Sequence, residues 1–347
     1  MSAQTEVGTR GLFGGSAAGR LGTVLRAREA GIALLIVVVV AVTAINNHDF
    51  LSASSLQQLL TGAALIALLG VGETLVVVTR NVDLSVGSVL GLSAYVVGDL
   101  FRDDHIPVWL GFVIAILIGT AAGALNGFIV TVLRVPSLVI TLAMLYVIRG
   151  VDSLLVNGKT IDPSAIPSAF TEVGYRTVLG VPWLAIIVIV VVAVAGYAMR
   201  SFRSSRELYA IGSNPDAANL AGVPIGRRVF TSFVISGTLA GLAGALFLAL
   251  HAQVDNSAGL GYELTVVAAV VVGGVAIFGG SGTVVGAALG ALLLNTINQA
   301  LVASRVSAFW NEAIAGALLL AAIGVDRWLS LRVTRSLTSA QGAHRDV

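Results

Sequence analysis

An ionisable side chain inside a long apolar run is the feature of this sequence most able to do chemistry. Glu73 stands about two turns inside the apolar run Leu56–Thr79. If this run spans a membrane, a charged group there costs at least about 2.5 kcal/mol, and residues kept at that cost commonly relay protons or ions. Glu73 is therefore a candidate for ion coupling, and a structural hydrogen bond to a neighbouring helix explains it equally well.

A second group of polar residues follows the same run. Arg80 and Asp83 lie in a short break before the next apolar run, and Ser85 stands at the start of that run. An aspartate in this position can accept hydrogen bonds from the free N–H groups of a following helix, and we favour this interpretation. The alternative is a gate residue at the end of a translocation path, with Asp83 paired to Arg80.

Amide side chains recur in other apolar runs. Hydrogen bonds between helices explain them, at about 0.6–2 kcal/mol each, and each could also contact a neutral, hydroxylated solute on a translocation path. These residues are Asn126, Asn295, Asn298 and Gln299. Enzymatic and metal chemistry have less support, because the sequence has no cysteine and its histidines are scattered. We predict no catalytic residue and no metal site.

The elements that would position these residues are membrane helices. Hydrophobic residues make up 56% of the 347-residue chain and charged residues only 11%, against about 25% in soluble domains. The net charge of +2 indicates no nucleic-acid partner. The composition therefore predicts an all-α, polytopic membrane protein surrounded by lipid.

A membrane-spanning helix needs about 20 mostly apolar residues. We find ten candidates, of which the third and eighth are short. They are Ala30–Ile45, Leu56–Thr79, Leu84–Leu100, Val108–Leu133, Pro136–Leu155, Val181–Met199, Val229–Leu250, Leu264–Phe278, Thr283–Val302 and Ala308–Val325.

The arginine distribution predicts the orientation of these spans. With a cytoplasmic N-terminus, 15 of the 20 basic residues fall on the cytoplasmic side, as the positive-inside rule requires. We therefore expect both termini in the cytoplasm, with a disordered tail over residues 1–28, a transmembrane domain over 29–328 and a C-terminal tail over 329–347.

The longest polar cytoplasmic stretch inside this domain runs over residues 200–228. Asn214, Pro215 and Asp216 form a helix-start signal, and Gly222 can end the helix. A solvated loop is one interpretation of this stretch. The other is a docking helix with a small apolar face, which a soluble partner binds. That face consists of Ala217, Ala218, Leu220 and Ala221.

Several motifs resemble ABC importer permeases of the branch that includes ribose, xylose, rhamnose and autoinducer-2 permeases. Asp216-Ala217-Ala218 followed by Gly222 is similar to their ATPase-coupling motif, with Asp in place of Glu. Residues 79–88, TRNVDLSVGS, resemble the signature of this branch, as do Gly261-Tyr262-Glu263-Leu264 and residues 279–283, GGSGT. Arg305-Val306 with Trp310-Asn311-Glu312 looks most like the rhamnose and autoinducer-2 members.

The resemblance implies a permease that imports a monosaccharide or small polyol, preferably rhamnose or autoinducer-2, with ribose or xylose as alternatives. It implies three protein partners: a second permease copy or a paralogue, a cytoplasmic ATPase that binds ATP and Mg²⁺, and an extracytoplasmic solute-binding protein. This chain itself would bind no cofactor. Glycines of the matching motifs, interpreted as close-packing or turn positions, are Gly87, Gly279, Gly280 and Gly282. The runner-up is a secondary transporter driven by an ion gradient through Glu73.

Overall fold

The computed structural model describes residues 17–103, 105–307, 310, 313–322 and 324, and for residues 17–28 the backbone alone. Nearly all of the regular structure in these residues is helical. In chain order the helices are α1 (Ala17–Asn46), α2 (Ala53–Val78), α3 (Val86–Asp103), α4 (Val108–Val132), α5 (Ser137–Val156), α6 (Ser168–Tyr175), α7 (Trp183–Ser201), α8 (Arg203–Ser213), α9 (Pro215–Leu220), α10 (Ile225–His251), α11 (Tyr262–Val272), α12 (Val284–Ala303) and α13 (Ala313–Ala322).

The remaining elements are small. Two 3₁₀ turns occupy His48–Leu51 and Pro163–Ala165. Two-residue strands, β1 (Thr177–Val178) and β2 (Val181–Pro182), pair antiparallel in front of α7. The all-α prediction therefore holds for the described residues apart from this short hairpin.

Among the described residues, seven helices are long and apolar enough to cross a membrane: the Glu29–Asn46 part of α1, and α2, α4, α5, α7, α10 and α12. The short third and eighth candidates are also helical, as α3 and α11. However, α11 has 11 residues and covers about 16 Å, half of a bilayer core. Ten spans with both termini inside therefore stays a prediction.

The tail prediction needs a correction at its inner end. Helix α1 begins at Ala17, inside the segment 1–28 that was expected to be disordered, because its Ala, Leu and Arg residues are good helix formers. Residues 1–16 and the C-terminal tail over 329–347 lie outside the described residues, and so do Asn311 and Glu312.

Helix α2 occupies the centre of the bundle. In its most apolar 18-residue stretch, 94% is buried. Helices α7, α10, α11 and α12 pack around it. Helices α1, α4, α5 and α7 present apolar side chains outward, such as Val37, Leu117 and Val194, which are about 60% exposed. The outer surface is apolar, as lipid requires, and the interior is apolar except for buried polar side chains such as Glu73, Asp83 and Asn126.

Helices α4 and α10 are in backbone contact along their length. Gly119 and Gly123 of α4 face Gly237 and Gly241 of α10, so closely that a β-carbon on any of them would overlap the partner's backbone. The four-residue spacing on each helix is the small-residue pattern by which membrane helices approach closely. This packing holds α10, and with it the segment α8–α9 that precedes α10, against α4.

We expect Gly119→Ala to lower the thermal stability of the purified protein, because the added methyl group meets the carbonyl oxygen of Gly237 and the backbone of Gly241. Overpacking of this kind costs about 1–3 kcal/mol. The matched control is Gly150→Ala on α5, where no atom lies within 4 Å of the new carbon. Equal melting temperatures for the two variants would contradict the close α4–α10 contact.

Candidate functional site

Helices α8 and α9 form a hairpin between α7 and α10 in the chain, and α8 packs against α2, α7 and α10. The short helix α9 has the predicted start, since Asn214 Oδ1 accepts a hydrogen bond from the Ala217 N–H at 3.0 Å. It ends in a Schellman motif: the N–H of Gly222 donates to Asn219 O at 2.9 Å, and the N–H of Val223 donates to Ala218 O at 3.0 Å. Local sequence alone therefore determines both ends of α9.

The outward surface of α9 differs from the predicted apolar face. Ala218 is 4% exposed, because this side of the helix packs against α8. Asp216 and Ala217 are exposed, and Leu220 is 90% exposed at the tip. Ala218 is thus an anchoring residue of the hairpin, and Leu220 is the large apolar side chain that a partner could bury.

Arg80 joins this hairpin to the membrane bundle. Its Nε donates to the carbonyl oxygen of Gly212 at 2.5 Å and its Nη2 donates to that of Ser213 at 2.8 Å. These carbonyls belong to the last turn of α8, where unsatisfied acceptors favour a cation. Arg80 therefore caps α8, and in the described residues it forms no ion pair with Asp83, so the pairing that we considered is wrong and a gate role for Asp83 stays a prediction.

A second connection joins the hairpin to the break between α11 and α12. The Tyr209 hydroxyl of α8 donates to Gly282 O at 2.9 Å, and the Gly280 N–H of the same break donates to Val78 O at the end of α2, also at 2.9 Å. Gly212 lies directly on Val78 O and Gly280 N, leaving no space for a side chain. We call this meeting point of residues 78–80, 209–213 and 279–282 the junction.

The predicted structural glycines fall at two places. Gly279, Gly280 and Gly282 lie at the junction with positive φ angles, and a β-carbon on each would come within 3 Å of a neighbour. Gly87 lies elsewhere, at the start of α3, against Gly259 and the Glu263 side chain. All four are close-packing positions, as expected from the sequence.

Glu207 adds a charged contact that sequence analysis missed. Its Oε1 accepts from Arg203 Nε at 3.0 Å and its Oε2 accepts from Arg228 Nε at 2.6 Å, which ties α8 to the start of α10. The hydrogen bond from Arg228, and then that from Arg203, lower the pKa of Glu207. Its sequence signal is a lone carboxylate in a helix that lies among arginines.

Below the junction, Asp83 is the centre of a buried polar cluster. Asp83 Oδ1 accepts from the Ser85 N–H at 3.1 Å and from the Ser85 hydroxyl at 2.6 Å, and Asp83 Oδ2 accepts from Ser236 Oγ of α10 at 3.3 Å. Asn126 Nδ2 of α4 donates to Ser85 Oγ at 2.8 Å. The bonds from Ser85 agree with a helix-start role for Asp83, just ahead of α3.

Glu73 belongs to the same cluster. It is fully buried, and its Oε1 accepts from the Asp83 N–H at 3.1 Å. Glu73 Oε2 and Asn126 Oδ1 have no hydrogen-bond partner among the described residues. Glu73 therefore accepts a hydrogen bond from a backbone N–H in the break after its own helix, rather than from a neighbouring helix as the structural interpretation supposed.

The other amide residues lie away from this cluster. Asn295 Nδ2 donates to Leu59 O at 2.8 Å and so fixes α12 to α2. Asn298 is exposed and Gln299 is half-buried, one turn farther along α12. The structure thus brings together Glu73, Asp83, Ser85 and Asn126 but not the α12 residues.

Helix α11 begins against α3, which the sequence did not indicate. Its first turn contacts the start of α3 through Glu263, and Arg149 Nη1 of α5 donates to Ala258 O at 2.7 Å in the preceding segment. Arg149 also lies 3.9 Å from the buried Asp152 carboxylate. Broken helices whose ends lie within the membrane are typical of transport paths.

Comparison with known proteins gives consistent matches over most of the chain. Residues 55–323 match the family model described as branched-chain amino acid transport system / permease component. The autoinducer 2 import system permease protein LsrC of Enterobacter sp. (strain 638) is 37% identical over 314 residues, 90% of each chain. The proteins of that name from Escherichia coli (strain K12 / DH10B) and Yersinia pestis (strain Pestoides F) are 34% and 35% identical over 89% of this chain and 90% and 88% of theirs. No solved structure matches.

Proposed function

The chain belongs to the permease family of binding-protein-dependent import systems, and we propose that it carries autoinducer 2 or a chemically similar small sugar through the membrane. Members of this family are multi-pass proteins of the inner membrane and non-catalytic subunits of ABC importers. Three relatives at 34–37% identity bear the name of an autoinducer 2 permease, which supports this substrate over rhamnose, ribose and xylose.

We propose further that α9 is the contact for a cytoplasmic ATPase, which would bind the ATP and Mg²⁺. The observation that carries this proposal is the junction. The hairpin presents an exposed apolar tip, Leu220, and its other end is bonded through Arg80 to the α2–α3 break and through Tyr209 to the α11–α12 break. A displacement of α9 that moves α8 with it would therefore reach both breaks through the hydrogen bonds of α8 with Arg80 and Gly282.

The complete importer would contain three further subunits. A second permease copy or a paralogue would complete the path, the ATPase would drive it, and an extracytoplasmic solute-binding protein would deliver the sugar. A neutral, hydroxylated substrate needs hydrogen bonds along its path and no charge partner. The half-length helix α11 and the segment before it would supply such a polar interruption of the apolar bundle.

Uptake measurements in cells that carry the neighbouring subunits test the substrate. We expect ATP-dependent uptake of labelled autoinducer 2, and excess unlabelled autoinducer 2 should compete better than rhamnose or ribose. If rhamnose or ribose competed as well as autoinducer 2, the substrate proposal would be wrong and the ABC permease role would stand.

Replacing Glu73 by glutamine discriminates between the ABC importer and an ion-driven transporter. We expect Glu73→Gln to keep most of the ATP-dependent uptake, since the amide oxygen can still accept the hydrogen bond from the Asp83 N–H. Asp83→Ala is the comparison, because it leaves the Ser85 and Ser236 hydroxyls without their acceptor. Uptake that failed in Glu73→Gln and collapsed with the proton gradient in the wild type would favour the secondary transporter.

A further inference from the structure

An apolar cleft of about 480 Å³ opens between α7 and α10. Both helices pack on α2, and between them Val71 and Leu75 of α2 form the floor. The outer walls include Val190, Val194 and Ile235, which are 55%, 63% and 41% exposed. In a membrane protein such walls face acyl chains, so the cleft is open to lipid from the side.

The length of the cleft matches one leaflet. It extends along α10 from Arg228 to Leu239 and along α7 from Phe202 back to Val190. At a rise of about 1.5 Å per residue, either wall is about 16–18 Å long. Half of the bilayer hydrocarbon core is about 15 Å thick, so an acyl chain from the leaflet on the α8 side is long enough to occupy most of the cleft.

The two ends of the cleft differ in chemistry. Its inner end is apolar, whereas Ser204 and Arg228 lie at the end next to α8. Arg228 donates through Nε to Glu207, and its two terminal nitrogens form no hydrogen bond with the described residues. Arg200 and Arg203 are exposed nearby in sequence, on the turn from α7 to α8. A basic mouth on an apolar cleft between membrane helices is complementary to an anionic headgroup.

We propose that this cleft binds an anionic glycerophospholipid, with one acyl chain between α7 and α10 and the phosphate at Arg228. The lipid would also contact α8 through Ser204, Ser205 and Leu208, which lie on the cleft wall. Since α8 carries the junction, a bound lipid would brace the hairpin against the bundle. The proposal does not depend on the substrate or on ATPase docking.

Native mass spectrometry of the purified full chain tests the proposal. The protein is delipidated and titrated with phosphatidylglycerol or phosphatidylcholine. We expect the wild type to retain one phosphatidylglycerol and to bind phosphatidylcholine about tenfold more weakly, the equivalent of one charge-assisted hydrogen bond. Ala195→Trp, which fills the cleft, should abolish the difference, and Val113→Trp on the outer surface of α4 should keep it.

Two charge variants keep the test independent of folding. Arg228→Gln should lose the preference for phosphatidylglycerol. Glu207→Gln, which breaks the same ion pair but keeps the Arg228 charge, should retain it. Equal retention of the two lipids by the wild type, or equal loss in both charge variants, would overturn the proposal. So would a wild-type dimer that Ala195→Trp dissociates, since this result would assign the cleft to a second copy of the chain.

Discussion

Replacing Leu220 by aspartate is expected to abolish ATP-driven uptake and co-purification of the ATPase, with normal amounts of the protein in the membrane. Leu220 is 90% exposed at the tip of α9, so its replacement removes little packing within the chain. In a complex the same side chain would be buried in a groove of the ATPase, where an unpaired carboxylate costs several kcal/mol. A loss of 2.7 kcal/mol would correspond to about a hundredfold weaker binding.

The matched control is Leu133→Asp. Leu133 is 61% exposed and caps the end of α4, outside the hairpin. We expect this variant to reach the membrane in normal amounts and to keep the ATPase. Gly222→Arg should resemble Leu220→Asp, because Gly222 has a φ of 78° and its surroundings are open. An arginine there strains the end of α9 and adds bulk next to the docking surface. Wild-type uptake by Leu220→Asp would contradict docking through α9.

What the sequence could predict was local. The start and end of α9 are encoded by Asn214, Pro215 and Gly222, residues that satisfy the free backbone groups of their own helix end. The hydrogen bonds from Ser85 to Asp83 are local in the same way. The apolar runs likewise predicted the long helices, because hydrocarbon leaves a 20-residue apolar segment few alternatives.

What the sequence could not predict was which surfaces meet. Ala218 was expected on the docking face, yet the side of α9 that packs against α8 is set by tertiary contact. Arg80 was considered as a partner of Asp83, its close neighbour in sequence, and instead caps a helix end 132 residues away. The position at which α11 starts depends on how the preceding segment packs against α3, and the hydrophobic periodicity of the sequence does not predict this packing.

The junction yields the second large effect, which is the converse of the first. We expect Gly212→Ala to abolish uptake while the ATPase still co-purifies. The new β-carbon overlaps Val78 O and Gly280 N, the two groups that bond to each other at 2.9 Å, so the end of α8 must move away from both breaks. Leu220 and the outer surface of α9 stay unchanged, so the ATPase binds and its motion no longer reaches α2 and α11.

A merely destabilised helix would not explain this result. In the interior of an exposed helix alanine is about 1 kcal/mol more favourable than glycine, so α8 itself should become more helical. Gly226→Ala is the matched control, since Gly226 stands in the first turn of α10 and no atom lies within 4 Å of its added carbon. We expect that variant to transport normally. If Gly212→Ala lost the ATPase together with uptake, the junction would be needed to fold the hairpin and not only to transmit its motion. If the variant kept uptake, the motion would reach the bundle through another contact. The proposed separation of docking at Leu220 from transmission at Gly212 therefore rests on two variants with opposite effects on ATPase binding and the same effect on transport.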